Sequence, residues 1–263
     1  MEQRVAREGT MVVGGGAYRL ADLDRLAALP AYSCGLPGLD GHTGGGLLPG
    51  SVWTVAAPSG GGATTFAVQL AVAAARSGSV LVVNDHVATH LLRDRLRAAL
   101  RRIKADDQSA ARIRVSTWMP LPRWDSDRLE WQEECTNSDV VVLDTIEEIW
   151  LWRSPTASDW WSDVRGRMRD LRLMARRTNT AVLLTARVAY DGRSEKRFRH
   201  AWRQHWCQAA FAEIADVRIQ IGPERDGERH VHAYLRGGGY WACDIGPLGS
   251  SPHFFHAICP IAR

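Results

Sequence analysis

A glycine-rich turn, Ala57-Pro58-Ser59-Gly60-Gly61-Gly62-Ala63-Thr64-Thr65, joins an apolar run to a helical pattern. That is the setting of a loop that wraps phosphates. In such a loop, backbone N–H groups and the helix N-terminus hold phosphate oxygens, a lysine neutralises the terminal phosphates, and a Ser/Thr hydroxyl ligates magnesium. The candidate nucleotide-binding residues are therefore Gly60, Gly61, Gly62, Thr64 and Thr65, with Thr64 in the hydroxyl position. About eighty residues later, Val140-Val-Val-Leu143-Asp144 is an apolar strand ending in a carboxylate, which suits the magnesium shell. Thr64 and Asp144 are the candidate metal ligands, for magnesium that arrives with a nucleotide.

The lysine position is Ala63. Only two lysines exist, Lys104 and Lys196, so 31 of the 33 basic residues are arginine. Arg76 lies thirteen residues beyond Ala63, about 20 Å along a helix, too far to curl back. A compensating cation must come from elsewhere in the fold or from a partner. Without one, the charge that binds and stabilises a transferring phosphoryl group is lost, so turnover should fall. Two outcomes remain open from the residues: weak binding of Mg-ATP, or an inert flexible turn.

Elements that would position these groups alternate along the chain. Strands are expected at Val52 to Ala57, Val80 to Val83, Val140 to Leu143, Ala181 to Leu184, Val217 to Ile221 and His230 to Leu235. Helices are expected at Thr64 to Arg76, His90 to Lys104 and about Asp159 to Arg177. Short apolar strands separated by helices predict an α/β fold with a mostly parallel sheet covered on both faces. Residues 31–263 read as one domain after an extension, 1–30, whose Leu20, Leu23 and Leu26 suggest one short amphipathic helix at Tyr18 to Leu29.

The 263 residues are 45% hydrophobic and 24% charged, which argues against disorder, collagen and coiled coil. No apolar run reaches the roughly 18 to 20 residues that cross a bilayer, and Met1 to Thr10 is too charged for a signal peptide. A cytoplasmic location without membrane attachment is expected. Five scattered cysteines without a Cys-x-x-Cys pair argue against a disulfide framework or zinc ribbon. His86 and His90 have chelating spacing but no evident third ligand, and His230 and His232 read as sheet surface.

Gly38-Leu-Asp40, Thr43-Gly-Gly-Gly-Leu-Leu-Pro-Gly50, the loop through Thr65-Phe66-Ala67, Asp144 and Ala215-Asp216-Val217 together resemble the RecA-type core of DnaB-like replicative helicases and RadA-like proteins. The resemblance covers about residues 31 to 240 and implies a RecA-like phosphate-loop domain with a C-terminal antiparallel extension. It also marks departures. The loop lysine is Ala63; the catalytic glutamate aligns with Asn84-Asp85-His86, leaving Asp85 as a shorter substitute; the γ-phosphate-sensing glutamine is replaced by Arg187. Arg236 matches the arginine finger offered to a neighbour's nucleotide, which implies a homo-oligomer, ring or filament. Asp85 and Arg236 are thus vestigial catalytic candidates.

The same resemblance points two loops at DNA, about Thr145 to Trp161 and Arg187 to Trp206. The second carries six basic residues against Asp191 and Glu195, a local +4 equal to the whole chain's net charge. Arg193, Lys196, Arg197, Arg199 and Arg203 could neutralise phosphates, while Trp202 and Trp206 could stack on bases, a combination suited to single strands. Trp150, Trp152, Trp160 and Trp161 lie in the first loop, though tryptophans also serve as core or protein contacts. Arg93, Arg95, Arg97, Arg101, Arg102 and Lys104 form a second basic run, the solvated side of a helix with a leucine stripe.

The resulting expectation is a nucleoid-associated, DNA-binding protein of replication, recombination or DNA maintenance with little or no ATPase activity. Two competitors are an ATP-driven helicase or translocase with a compensating arginine, and a scaffold whose tryptophans meet a polymerase, helicase or other replication or repair partner.

Overall fold

Four segments are apolar along almost their whole length because both faces of each are covered. They are β1 (Val52–Ala57), β2 (Val80–Asn84), β4 (Val140–Asp144) and β5 (Ala181–Arg187). The computed structural model describes residues 30–84, 87–116, 135–146, 157–187, 212–222, 228–248 and 251–260. With β3 (Ile113–Ser116), β6 (Val217–Ile221), β7 (Arg229–Leu235), β8 (Tyr240–Leu248) and β9 (Ser251–Pro260), these strands make one sheet ordered β3-β2-β4-β5-β1-β6-β7-β8-β9. Pairs from β3 to β6 are parallel and those from β6 to β9 antiparallel. The expected α/β architecture with an antiparallel extension is present.

Helices cover the parallel part. Short helix α1 (Pro37–His42) precedes β1, and α2 (Ala63–Ala74) follows the glycine turn. Helix α2 has no charged residue and buries eight of its twelve, including Phe66, Leu70 and Val72. It is a central helix, wider in its buried arc than the predicted Phe66–Leu70–Ala74 stripe. It packs with α3 (Thr89–Arg102) on the sheet face that carries Val55, Ala57, Val82, Val142 and Leu183. Leu92, Leu96 and Ala99 of α3 point inward, and its arginines stay outward. A five-residue helix, α4 (Asp107–Ala111), leads into β3. On the opposite face, α5 (Ala157–Thr178) buries Met168, Leu171 and Ala175 against Val141, Leu143, Val182 and Leu184.

The lead-in motif is held by its own carboxylate. Asp40 accepts from the Cys34 N–H at 2.8 Å and the Ser33 hydroxyl at 2.7 Å, while Tyr32 and Leu47 exchange backbone hydrogen bonds. Gly46 has φ 118°, and a Cβ there would collide with the Tyr32 carbonyl. This glycine lets the segment double back before β1.

Three expectations change. β5 extends through Arg187, so Arg187 belongs to the sheet and not to the loop after it. β3, β8 and β9 were not foreseen, and α3 starts at Thr89, which puts His90 on its exposed first turn. His86 and the helix expected at Tyr18 to Leu29 lie outside the described residues.

Candidate functional site

Parallel strands bring the carboxyl ends of β1, β2, β4 and β5 to one edge, where the glycine turn departs from Ala57. Gly61 N–H donates to the Pro58 carbonyl at 2.7 Å, closing a tight bend. Gly60 and Gly62 have φ 73° and 91°, the left-handed region that favours glycine. A Cβ on Gly61 would lie 2.7 Å from Pro58, whereas one on Gly60 would meet nothing within 4 Å. The turn is thus packed on one side and open on the other. Helix α2 begins at Ala63, its first N–H groups lack intrahelical acceptors by construction, and no acidic residue stands in its first turn. Those features suit an anion.

Asp144 is the hub. Its Oδ1 accepts the Thr64 hydroxyl at 2.9 Å and the Thr185 hydroxyl at 2.5 Å, and its Oδ2 accepts the Asn84 amide at 2.6 Å. The carboxylate is 2% exposed, with Asn84 and Thr185 fully buried. These hydrogen bonds stabilise a charge that would otherwise be costly to bury. Thr64 and Asp144, eighty residues apart in sequence, therefore meet as expected. Thr65 is half-buried in the first turn of α2.

Asn84 and Thr185 are site residues that the sequence reading missed. The signal was strand alternation: Val80 and Val82 share a face with Asn84, and Ala181 and Leu183 share one with Thr185. The same alternation carries Arg187 onto that face. Its Cα is the register partner of Ala57, the residue from which the glycine turn departs, and its side chain is half-buried.

The donor set fits a magnesium nucleotide in two respects, an open cradle with left-handed glycines and a hydroxyl beside a buried carboxylate. It departs from that fit at Ala63, which offers no charge. The Thr145 hydroxyl, next to Asp144, is buried without a hydrogen-bond partner. Among the described residues no three His, Cys, Asp or Glu side chains cluster as a metal site.

Arg236 lies at the other pole. Its N–H donates to the Asp216 carbonyl at 2.9 Å, and Asp216 in turn accepts the N–H of Val52, the first residue of β1, at 2.9 Å. The Arg236 guanidinium donates to the Glu213 carbonyl of its own chain. Asp216 also takes Arg172 at 3.2 Å, so the Ala215-Asp216-Val217 motif staples β6 and α5 to the start of β1. On β7 and β8, His230 pairs with Asp244 and His232 Nδ1 lies 2.7 Å from the Tyr240 hydroxyl. These histidines are sheet surface, as expected.

Asp85 and the DNA candidates Arg193, Lys196, Arg197, Arg199, Trp202, Arg203 and Trp206 lie outside the described residues. Among the described residues no helix is long and apolar enough to cross a membrane.

Residues 37–193 match the family model described as an AAA domain. The crystal structure of the RadB recombinase has a similar fold, with a TM-score of 0.59 and 17% identity over 86% of this chain and 99% of that one. No curated protein sequence matches the chain.

Proposed function

The chain belongs to the AAA domain family, and from that premise we propose that it is a DNA-binding protein of RecA-like fold which holds a magnesium nucleotide without turning it over efficiently. The observation that carries this reading is the Thr64–Asp144 contact at 2.9 Å standing beside Ala63. The half of the site that would hold magnesium is intact, and the half that would neutralise phosphates is not. Bound magnesium would screen phosphate charge there. Gly60, Gly62 and the first N–H groups of α2 would receive the phosphates, with the Gly61 N–H holding the bend through Pro58, while Asn84 and Thr185 keep Asp144 aimed at Thr64. The end of β2 offers the Asn84 amide, which cannot accept a proton from water as a carboxylate could.

A role in replication, recombination or DNA maintenance is supported by the RecA-like fold and by the basic, tryptophan-bearing segment 187–206. Single-stranded DNA is the partner this segment suits best, and a cytoplasmic, nucleoid-associated setting follows from it. Assembly with further copies and a replication or repair protein as partner belong to the same reading. The DnaB-like character rests on the lead-in and loop motifs.

Two measurements test the proposal. Phosphate release with Mg-ATP and DNA should stay near background; steady turnover that disappears in Asp144→Ala favours a translocase instead. Labelled single-stranded DNA should bind with an affinity that falls as salt rises. Binding that ignores salt, or none, points to a protein scaffold.

A further inference from the structure

The phosphate loop lacks its own cation, but the sheet brings one beside it from another strand. We infer that Arg187 supplies to the phosphates of a bound nucleotide the positive charge that Ala63 lacks. This rests on the nucleotide-binding reading above and names the residue that makes such binding favourable.

Position is the first argument. β1 and β5 are parallel neighbours with Ala57 and Arg187 in register, so their backbones lie about 4.8 Å apart where the glycine turn begins. Orientation is the second. Thr185 reaches Asp144 Oδ1, the atom that also accepts Thr64, and Arg187 is two residues further along the same strand. Residues i and i+2 share a face, so Arg187 stands about 6.6 Å beyond Thr185 on the face that carries α2, at the carboxyl edge where β1 and β5 end. Its half-buried environment leaves part of the side chain accessible.

Arg76 and Lys104 lie at the opposite pole from this edge, and Arg93 on the first turns of α3 is exposed and paired with Asp94. Helix α2 starts at the edge and its twelve residues run about 18 Å from it, which takes Arg76 to the far pole. Lys104 follows the end of α3, near Arg112, which donates to the Ala75 and Arg76 carbonyls at that same pole. Chemistry favours the assignment too. A guanidinium is always charged and presents a planar fork that matches phosphate oxygens two at a time, so it can act from a strand end without the lysine's flexible reach. Among the described residues the end of β2 offers only the Asn84 amide, which cannot take a proton from water, so the assignment concerns binding.

The test is a fluorescence titration of the full chain with magnesium and an N-methylanthraniloyl-labelled ATP, with unlabelled tripolyphosphate as competitor. Wild type should bind, Arg187→Ala should bind about tenfold or more weakly, and adding Ala63→Lys to Arg187→Ala should restore most of the loss. Unchanged affinity in Arg187→Ala overturns the assignment while nucleotide binding stands. No binding by wild type at millimolar ligand overturns the nucleotide reading itself and this assignment with it. A loss that lysine at position 63 does not rescue shows that Arg187 supports the strand end and not the ligand's charge, and also overturns the assignment. If the alanine variant melts more than about 5 °C lower, Arg187→Gln, which keeps length and hydrogen bonding without charge, is judged by the same criterion.

Discussion

Asn84 and Asp144 end adjacent parallel strands in register, and the Asn84 amide donates to Asp144 Oδ2 at 2.6 Å in a place where neither side chain meets water. The amide also ties down the following turn, because its Oδ1 accepts the Val87 N–H at 2.8 Å. One side chain thus fixes both the carboxylate and the entry to α3. Replacing Asn84 by Asp sets two carboxylates against each other in a buried site. One of them must then keep a proton in the folded state, which raises its pKa above the unfolded value. Stability of Asn84→Asp should therefore be greatest in mild acid and fall as pH rises, with a deficit of about 3 kcal/mol or more at pH 7. Urea unfolding at pH 5 and pH 8 checks it; equal deficits at the two values would refute the like-charge account.

Near the other pole, Arg165 grips Glu213 with two hydrogen bonds of 2.9 Å, and Arg169 adds a third at 3.1 Å. The Arg165 hydrogen bonds lead in holding the Glu213 carboxyl below its ordinary value of 4.5. A depressed carboxylate stabilises the fold above that value and loses its contribution as pH falls through the folded-state pKa. The Glu213 side chain is 37% exposed, so solvent screens the clasp. Glu213→Gln should lower the melting temperature by only about 1–3 °C at neutral pH and low salt. The difference should shrink in 0.5 M salt and fade as pH falls below 4.5 through the folded-state pKa. A larger, salt-independent loss would assign Glu213 a packing role instead.

Burial pushes the Cys34 thiol up, with Asp40 adding to it, and burial pushes Cys243 up to about 12, with Asp244 adding to it. The thiolate is the reactive species, so both should resist alkylation at pH 8 while the chain is folded. Iodoacetamide labelling followed by peptide mass mapping, before and after denaturation, reads this directly. Rapid native labelling of either residue would mean that its surroundings open on the labelling timescale.

The segment that carries the DNA reading invites a two-way comparison. Neutralising Arg193, Lys196, Arg197, Arg199 and Arg203 should weaken binding to all sequences and flatten its salt dependence by roughly one phosphate per residue. Trp202→Ala and Trp206→Ala should weaken single-strand binding with little change in the salt slope, because stacking releases no counterions. Should these tryptophans be core residues, each replacement would cost about 3–5 kcal/mol of stability instead. Melting and DNA affinity measured on the same variants separate the two accounts.

Reading the chain recovered the parts of the fold whose signal is local. β1, β2 and β4 are mostly apolar runs, rich in Val, and the glycine turn between β1 and α2 announces itself by composition. β3 escaped because Ile113-Arg-Val-Ser116 is a half-exposed edge strand with two arginine neighbours, Arg112 and Arg114, that read as solvent. β8 escaped because Gly246-Pro247 interrupt it, and β9 because Pro252 and Pro260 stand at its two ends. At the site, Thr64 and Asp144 were legible from motif spacing. Asn84 and Thr185 were not, because each is an ordinary polar residue whose importance comes from its register against β4. Arg187 was legible as a departure from a family pattern, but its place beside Ala57 required the strand to run three residues longer than its apolar stretch.

The two poles of the sheet limit how copies of this chain could combine. The glycine turn leaves the carboxyl end of β1, while Arg236 is tied through Asp216 to its amino end, about 20 Å away across six residues. A neighbour's glycine turn would meet Arg236 through two different surfaces. Made head to tail, such a contact repeats into a closed ring or an open helical filament, whereas a two-fold pair would have to lie antiparallel, each chain's Arg236 at the other's glycine turn, and make the contact twice.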